Sequence, residues 1–232
     1  MKPLTGPLKY IVIILLLLGP VVVFFMISKG DHQFYELPYY GQKTPEYLED
    51  GTVDTLYHTV PDFSFTNQFG KIVTERDFNG KILIVDFFFV TCPTICPAMT
   101  ENMASLQLQL KEDHFSDVHL LSHTVNPEHD TPEVLLEYGE KNGADFDRWT
   151  FVTGEKSEIY RQGVKGYMLP AQEDALAPGG FLHSEQFVLV DKSRHIRGFY
   201  DGTQMAEMRR LIKDVKMLIK NDKDARRGNE AD

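Results

Sequence analysis

The sequence predicts an α/β domain in which strands and helices alternate, set behind one membrane-spanning helix and an N-terminal β-hairpin. Three observations predict it. Residues 10–28 carry no charge; residues 81–90 form an apolar strand pattern interrupted by Asp86; and strand and helix patterns alternate from there to the last helix. The only two cysteines of the chain, Cys92 and Cys96, stand directly after that strand, so any sulfur chemistry is confined to one strand-to-helix junction.

As a helix, residues 10–28 span about 28 Å at about 1.5 Å per residue, one bilayer crossing. A cleaved signal peptide has a shorter apolar core and a small-x-small cleavage site, and Ser28-Lys29-Gly30-Asp31-His32 offers no such site. Lys2 and Lys9 precede the segment and Lys29 follows it, which favours a cytoplasmic N-terminus and export of everything beyond. The expectation is a single-pass protein of the inner membrane whose domain faces the periplasm or, in a eukaryote, an organellar intermembrane compartment. Residues 1–29 then make the short cytoplasmic start and the anchor, 30–56 a linker, 57–221 the domain and 222–232 a charged tail. Beyond residue 29 the chain holds 34 acids against 21 bases, a formal charge of −13. Such a field argues against a nucleic-acid partner and suits a cationic protein surface or a metal ion.

Within the domain, residues 61–66 alternate apolar and polar side chains, Asn67-Gln68-Phe69-Gly70 turns, and residues 71–74 return, which makes a β-hairpin. The strand at 81–90 is apolar on both faces, the mark of a strand covered on both sides. Residues 98–110 carry Met99, Met103, Leu106 and Leu110 at helical spacing, and the methionines read as core rather than as copper ligands. Residues 118–125 are a second central strand. Thr131-Pro132-Glu133 supplies an N-cap, a Pro in the first turn and an acid at the positive end of the helix dipole, opening a helix to about Lys141. There follow a short strand at 149–153, a helical piece at 156–163 and a long loop at 166–182, a length at which loops are often functional. A second hairpin joins 184–190 to 195–200, and 204–219 is the last amphipathic helix. This order, with cysteines at the first β-to-α junction, is the thioredoxin-like arrangement with an N-terminal hairpin added.

The spacing of the cysteines then limits their chemistry. Positions i and i+4 of a helix have Cβ atoms about 5 to 6 Å apart, so Cys92 and Cys96 can close a disulfide or grip one ion. A helix N-terminus stabilises thiolate through its dipole and free N–H groups. Three residues separate the pair, Pro93, Thr94 and Ile95, where the thioredoxin redox motif has two, and this turns the reading toward metal. A purely structural disulfide across so short a loop removes little unfolded-state entropy. A peroxiredoxin-like site would have Thr three residues before its reactive cysteine, where Phe89 and Pro93 stand here. Asp86, inside the apolar strand, must be paired or protonated, as an acid supporting the cysteines or as a structural one.

Two thiolates bound to copper or zinc are usually complemented by imidazole. Of the eight histidines, His183 lies where the long loop enters a strand. Thioredoxin-like folds usually carry a Pro facing the cysteines there, and this chain has none between Gly179 and Tyr200, so His183 can take that place. His123 reads as a hydrogen-bonded strand-end histidine rather than a fourth ligand, and His129 as a solvated one. His32, His58, His114, His119 and His195 read as surface or structural.

Cys92-Pro93-Thr94-Ile95-Cys96-Pro97 with Met99-Thr100, the stretch Val125-Asn126-Pro127-Glu128-His129-Asp130-Thr131-Pro132, and His183-Ser184 followed by Val190-Asp191 together resemble the SCO/SenC family of membrane-anchored copper chaperones serving cytochrome c oxidase assembly. The resemblance covers roughly residues 61–218. It implies Cys92, Cys96 and His183 as ligands of one copper ion per chain, Cu(I) or Cu(II). It also implies delivery of copper to, or preparation of thiols at, the CuA site of cytochrome c oxidase subunit II or another acceptor protein. Asn126 and His129 stand where the family usually reads Asp and Arg, and neither position is a metal ligand in the family. Two alternatives use the same residues: a thiol-disulfide oxidoreductase acting on acceptor cysteines through the redox pair Cys92 and Cys96, with no need of His183, and a redox or copper sensor.

Overall fold

The computed structural model describes residues 6, 14, 16–20, 36–48, 51–169 and 184–229. The chain divides into two compact units, residues 1–36 and 37–232. In the first, residues 14 and 16–20 are helical, and most of the expected anchor lies outside the described residues. Among the described residues no helix is long and apolar enough to cross a membrane.

The second unit runs in the order β1 (Lys43–Tyr47), β2 (Val53–Tyr57), β3 (Ser64–Asn67), β4 (Ile72–Thr74), β5 (Ile82–Phe88), α1 (Cys96–Gln109), β6 (Val118–Thr124), α2 (Pro132–Lys141), β7 (Trp149–Thr153), α3 (Lys156–Arg161), β8 (Gln186–Val190), β9 (Ile196–Asp201) and α4 (Met205–Asn229). Strands β1 and β2 form a separate hairpin, and the other seven form one sheet in the order β4-β3-β7-β6-β5-β8-β9. Its centre is parallel, β5 beside β6 and β6 beside β7. Hairpin strands flank that centre in antiparallel fashion, β3 on β7 and β8 on β5.

Every residue of β5 is buried, which is why its sequence is apolar on both faces. Helices α1 and α4 pack on one another, α4 also on β9, and α2 packs on β7. Met99, Met103 and Leu106 of α1 are fully buried, as their helical spacing predicts. Helix α2 starts where the sequence places it, the Thr131 hydroxyl accepting from the Val134 N–H at 3.5 Å with Pro132 in the first turn. Leu135 and Gly139 form its buried face, and a Cβ on Gly139 would lie 2.6 Å from the ring of Phe146 in the loop before β7, so glycine allows this close packing.

Three expectations change. The segment 30–56, read as linker, contains β1 and all of β2 but its last residue; their residues are exposed on both faces, so they show no apolar period to betray them. Leu37 is buried, and the Arg197 guanidinium donates to the carbonyls of Leu37 at 2.5 Å and Pro38 at 3.2 Å, tying this segment to β9. The last helix does not stop at 219 but continues through the expected tail to Asn229. The helical piece ends at Arg161 and widens into a π turn, Gln162–Gly166, while residues 170–182 of the long loop lie outside the described residues.

Candidate metal and redox site

The site begins where β5 runs out. Val125 donates its N–H to the Phe88 carbonyl at 2.8 Å, the last tie between β5 and β6, and the chain then turns through Phe89 and Val90, with the Cys92 N–H bonded to the Phe89 carbonyl at 3.1 Å. Asp130, fully buried in the loop that precedes α2, clamps this turn. Its Oδ2 accepts from the Val90 N–H at 3.1 Å and from the Thr124 hydroxyl at 2.5 Å. The His129 Nδ1 sits 2.7 Å from its Oδ1. The Asn126 N–H closes the loop on the Thr124 hydroxyl at 3.0 Å. His129, expected as solvated, is thus half-exposed and bonded to a buried acid. Nothing in the sequence singles out Asp130, although it stands in the run Asn126-Pro127-Glu128-His129-Asp130; only the fold shows which of the two acids there turns inward.

The two cysteines are not equivalent. Cys96 is the first residue of α1, whereas Cys92 precedes the helix in the bend, so they do not share a helix face as their i, i+4 spacing suggests. Both are reduced and largely buried, 6% exposed for Cys92 and 4% for Cys96. For Cys92 burial acts upward, but hydrogen bonds from the Cys96 thiol, from the Thr94 and Cys96 backbone and from the Thr94 hydroxyl outweigh it and hold the thiol below its ordinary value. The Thr94 Oγ1 lies 3.6 Å from the Cys92 sulfur. For Cys96 burial comes first, then the Cys92 sulfur and the Asp86 charge, and its thiol is pushed well above its ordinary value. Cys92 is therefore the sulfur that ionises first, with Cys96 as the protonated partner behind it.

Asp86 supports the buried side of this pair. Its Oδ1 accepts from the Ser122 hydroxyl at 2.5 Å, and the Trp149 Nε1–H donates to the same Ser122 oxygen at 2.8 Å, a chain across three strands. Burial raises the Asp86 carboxyl from 3.8 to about 7, with the Ser122 bond working the other way. Beyond the cysteines, the Tyr138 hydroxyl is paired with Thr100 at 2.6 Å, and burial pushes it up to about 12.

His183 lies outside the described residues. Among the described residues no three His, Cys, Asp or Glu side chains gather as a metal cage. His123, expected to be hydrogen-bonded, is not: it is fully buried, neither ring nitrogen has a partner among the described residues, and its ring stacks on Phe87 at 4.7 Å between the edges of Phe65 and Tyr167. Burial lowers it to about 3, against the weaker pull of the nearby Asp86 backbone, and keeps it neutral. The remaining described histidines are structural or on the surface: His58 bonded to the Gly166 carbonyl at 2.8 Å, His119 to Thr150 at 2.9 Å, His195 beside Asp191 and His114 beside Glu112. As donors, two converging thiols of unequal acidity suit a soft ion or a reversible disulfide.

A family model described as SCO1/SenC matches residues 52–220. A SCO1 protein homolog from Bacillus subtilis (strain 168) is 34% identical over 168 residues, covering 70% of this chain and 84% of its own length. Among solved structures, that of BsSco, described as a member of the Sco family of cytochrome c oxidase assembly proteins with a disulfide switch, is 33% identical, with a TM-score of 0.62 over 70% of this chain and 94% of that one. Arabidopsis thaliana ScoI, solved with copper bound, is 26% identical, with a TM-score of 0.59 over 71% of this chain and 99% of that one.

Proposed function

The chain belongs to the SCO1/SenC family, and on that footing we propose that it is a membrane-anchored copper carrier in cytochrome c oxidase assembly. Cys92, Cys96 and His183 hold one copper ion, as Cu(I) or Cu(II), and pass it by ligand exchange to the cysteines of an acceptor, the CuA site of oxidase subunit II first among them. The observation that carries this reading is the pair of free, buried thiols at the end of β5, Cys92 in the turn before α1 and lining an open groove, Cys96 the first residue of the helix. Soft thiolates retain Cu(I), and an imidazole completes a set that also accepts Cu(II). The copper-bound Arabidopsis relative supports the cargo. The uncharged segment 10–28 anchors the protein in the inner membrane, with everything after Lys29 in the periplasm.

Metal analysis of the purified chain tests the ligand set. Cys92→Ala, Cys96→Ala and His183→Ala should each lose most of the copper that the parent retains through dialysis. Full copper in His183→Ala would overturn the third ligand.

A second reading is favoured by the unequal acidity of the cysteines and by the disulfide switch described for BsSco. In it the Cys92 thiolate attacks an acceptor disulfide and one acceptor sulfur leaves as thiolate. Cys96 then loses its proton to solvent and attacks the Cys92 sulfur. The acceptor departs as a dithiol, two electrons having passed to it, and a Cys92–Cys96 disulfide remains. Acceptor reduction that survives His183→Ala, together with weak copper binding by the parent, would favour this route over copper transfer.

A further inference from the structure

Helix α2 has two apolar stripes, and only one is fully buried. Leu135 and Gly139 are buried against the sheet, whereas Val134 and Tyr138, one turn apart, stay half-buried, the Tyr138 ring packed on Phe88 with part of its surface left open. Together with Val90 and Pro97 they line a groove of about 360 Å³ that has Cys92 in its wall and Glu137 and Lys141 among its lining residues. From Val134 to Lys141 the helix rises about 10 Å at about 1.5 Å per residue. That is room for about three residues of extended chain at about 3.3 Å each.

We propose that this groove is the docking site for an extended, cysteine-bearing segment of the acceptor protein, which sets the acceptor's sulfur against Cys92 while an adjoining apolar side chain lies on Val134 and Tyr138. The proposal rests on the reading that Cys92 meets an acceptor cysteine, and it adds what the acceptor must look like. Glu137 and Lys141 have no ion-pair partner among the described residues, so a bound segment meets one open acid and one open base. With 34 acids against 21 bases beyond residue 29, the domain as a whole draws a cationic partner, which matches a basic residue opposite Glu137. A second copy of this chain does not fit: its cysteines are buried in a folded turn, not carried on an extended segment. The Tyr138 ring is held by its bond to Thr100, so the platform is formed before anything binds.

The test separates recognition from reactivity. In the full chain carrying Cys96→Ala, with Cys96→Ser as the alternative background, Cys92 is the sole thiol. It is offered short peptides whose central cysteine is activated as a 2-thiopyridyl disulfide. The Cys92 thiolate attacks the peptide sulfur, a Cys92–peptide disulfide forms, the bond to the pyridyl sulfur breaks, and 2-thiopyridone leaves with the electron pair and takes up a proton. 2,2′-Dithiodipyridine, which reacts at the same sulfur without filling the groove, is the reference.

A peptide with Phe and Arg flanking its cysteine should react at least tenfold faster, relative to the reference, than one flanked by Gly and Glu. Val134→Glu and Glu137→Lys should each remove most of that preference and leave the reference rate within twofold. Peptides that all track the reference would overturn the proposal, whether the groove is idle or covered by another part of the chain. An unchanged preference in Glu137→Lys, a substitution on the exposed rim, would overturn it too. No copper enters this assay, so loss of peptide preference beside intact copper retention would sink the groove alone and leave the copper reading standing.

Discussion

Asp86 and Phe87 are consecutive residues of β5, and across the parallel register they face Ser122 and His123 of β6. Successive side chains of a strand point to opposite faces, so two polar groups equally deep in the molecule, Asp86 with Ser122 and His123 alone, meet different surroundings. On one face the carboxyl joins a chain through Ser122 to Trp149, near enough to Cys96 to add to its upward push. On the other the imidazole sits in a box of aromatic rings with both nitrogens unpartnered among the described residues. Burial by itself therefore says little about role. What separates the two is which groups the neighbouring strands bring to meet the polar atom, and only the satisfied one adjoins the thiols.

The largest expected effect breaks the satisfied side by pH. The folded Asp86 holds its proton up to about pH 7, against 3.8 ordinarily, so the folded state binds the proton more tightly than the unfolded chain. Its contribution is complete below about pH 4 and is lost as pH rises toward 7, where the folded protein must ionise a buried acid. Asp86→Asn keeps the shape and the acceptor for Ser122 without that cost. It should match the parent near pH 4 and exceed it by a few kcal/mol at pH 7 and above, the gap widening by about 1.4 kcal/mol for each pH unit crossed. Urea unfolding at a series of pH values checks this; parallel curves for the two proteins would mean that Asp86 is already ionised in the fold.

Ser122→Val attacks the same chain from its middle. It leaves the Asp86 carboxyl and the Trp149 N–H buried without their partner, and an unmade buried bond costs more than the net value of a made one. A loss of about 3 kcal/mol is expected at pH 5, with faster alkylation of Cys96 as the turn above it loosens. Unchanged stability would show that the two groups find other partners.

Much of this fold is legible in the sequence, and the exceptions have a common cause. The run at 81–90, the Thr131-Pro132-Glu133 start of α2 and the methionine stripe of α1 are local signals, each fixed by residues within a turn or a strand of one another. The β1–β2 hairpin and residues 220–224 of α4 escape because they bury little, so no apolar period marks them. The site divides the same way. Cys92 and Cys96 announce themselves by their spacing, but their unequal acidity depends on where α1 begins, and a start at Cys96 rather than Ala98 puts one sulfur inside the helix and the other before it. Asp130 becomes a clamp only because Thr124, at the end of β6, and Val90, in the turn after β5, converge on it. The box around His123 is drawn from Phe65, Phe87 and Tyr167, residues of three separate segments, and no window of sequence contains it.

That box gives the smallest effect at neutral pH and the one with the opposite sign. A buried polar atom without a bond costs free energy, and replacing it by an apolar group of similar shape is neutral or stabilising. His123→Phe keeps a flat ring against Phe87 and removes both unpartnered nitrogens, so it should raise stability by about 1 kcal/mol at pH 7, measured as a higher urea midpoint at an unchanged slope. The gain should grow in acid. His123 is held at about 3 in the fold against 6.5 ordinarily, so in the parent its contribution is present above 6.5 and is lost as pH falls, at about 1.4 kcal/mol per pH unit. The variant has no such group and should part from the parent steadily between pH 6.5 and about 4. Copper retention should not change, because this ring lies on the sheet face away from Asp86. A fall in stability at pH 7, or a lost copper ion, would mean that the imidazole has a partner that its aromatic surroundings do not supply.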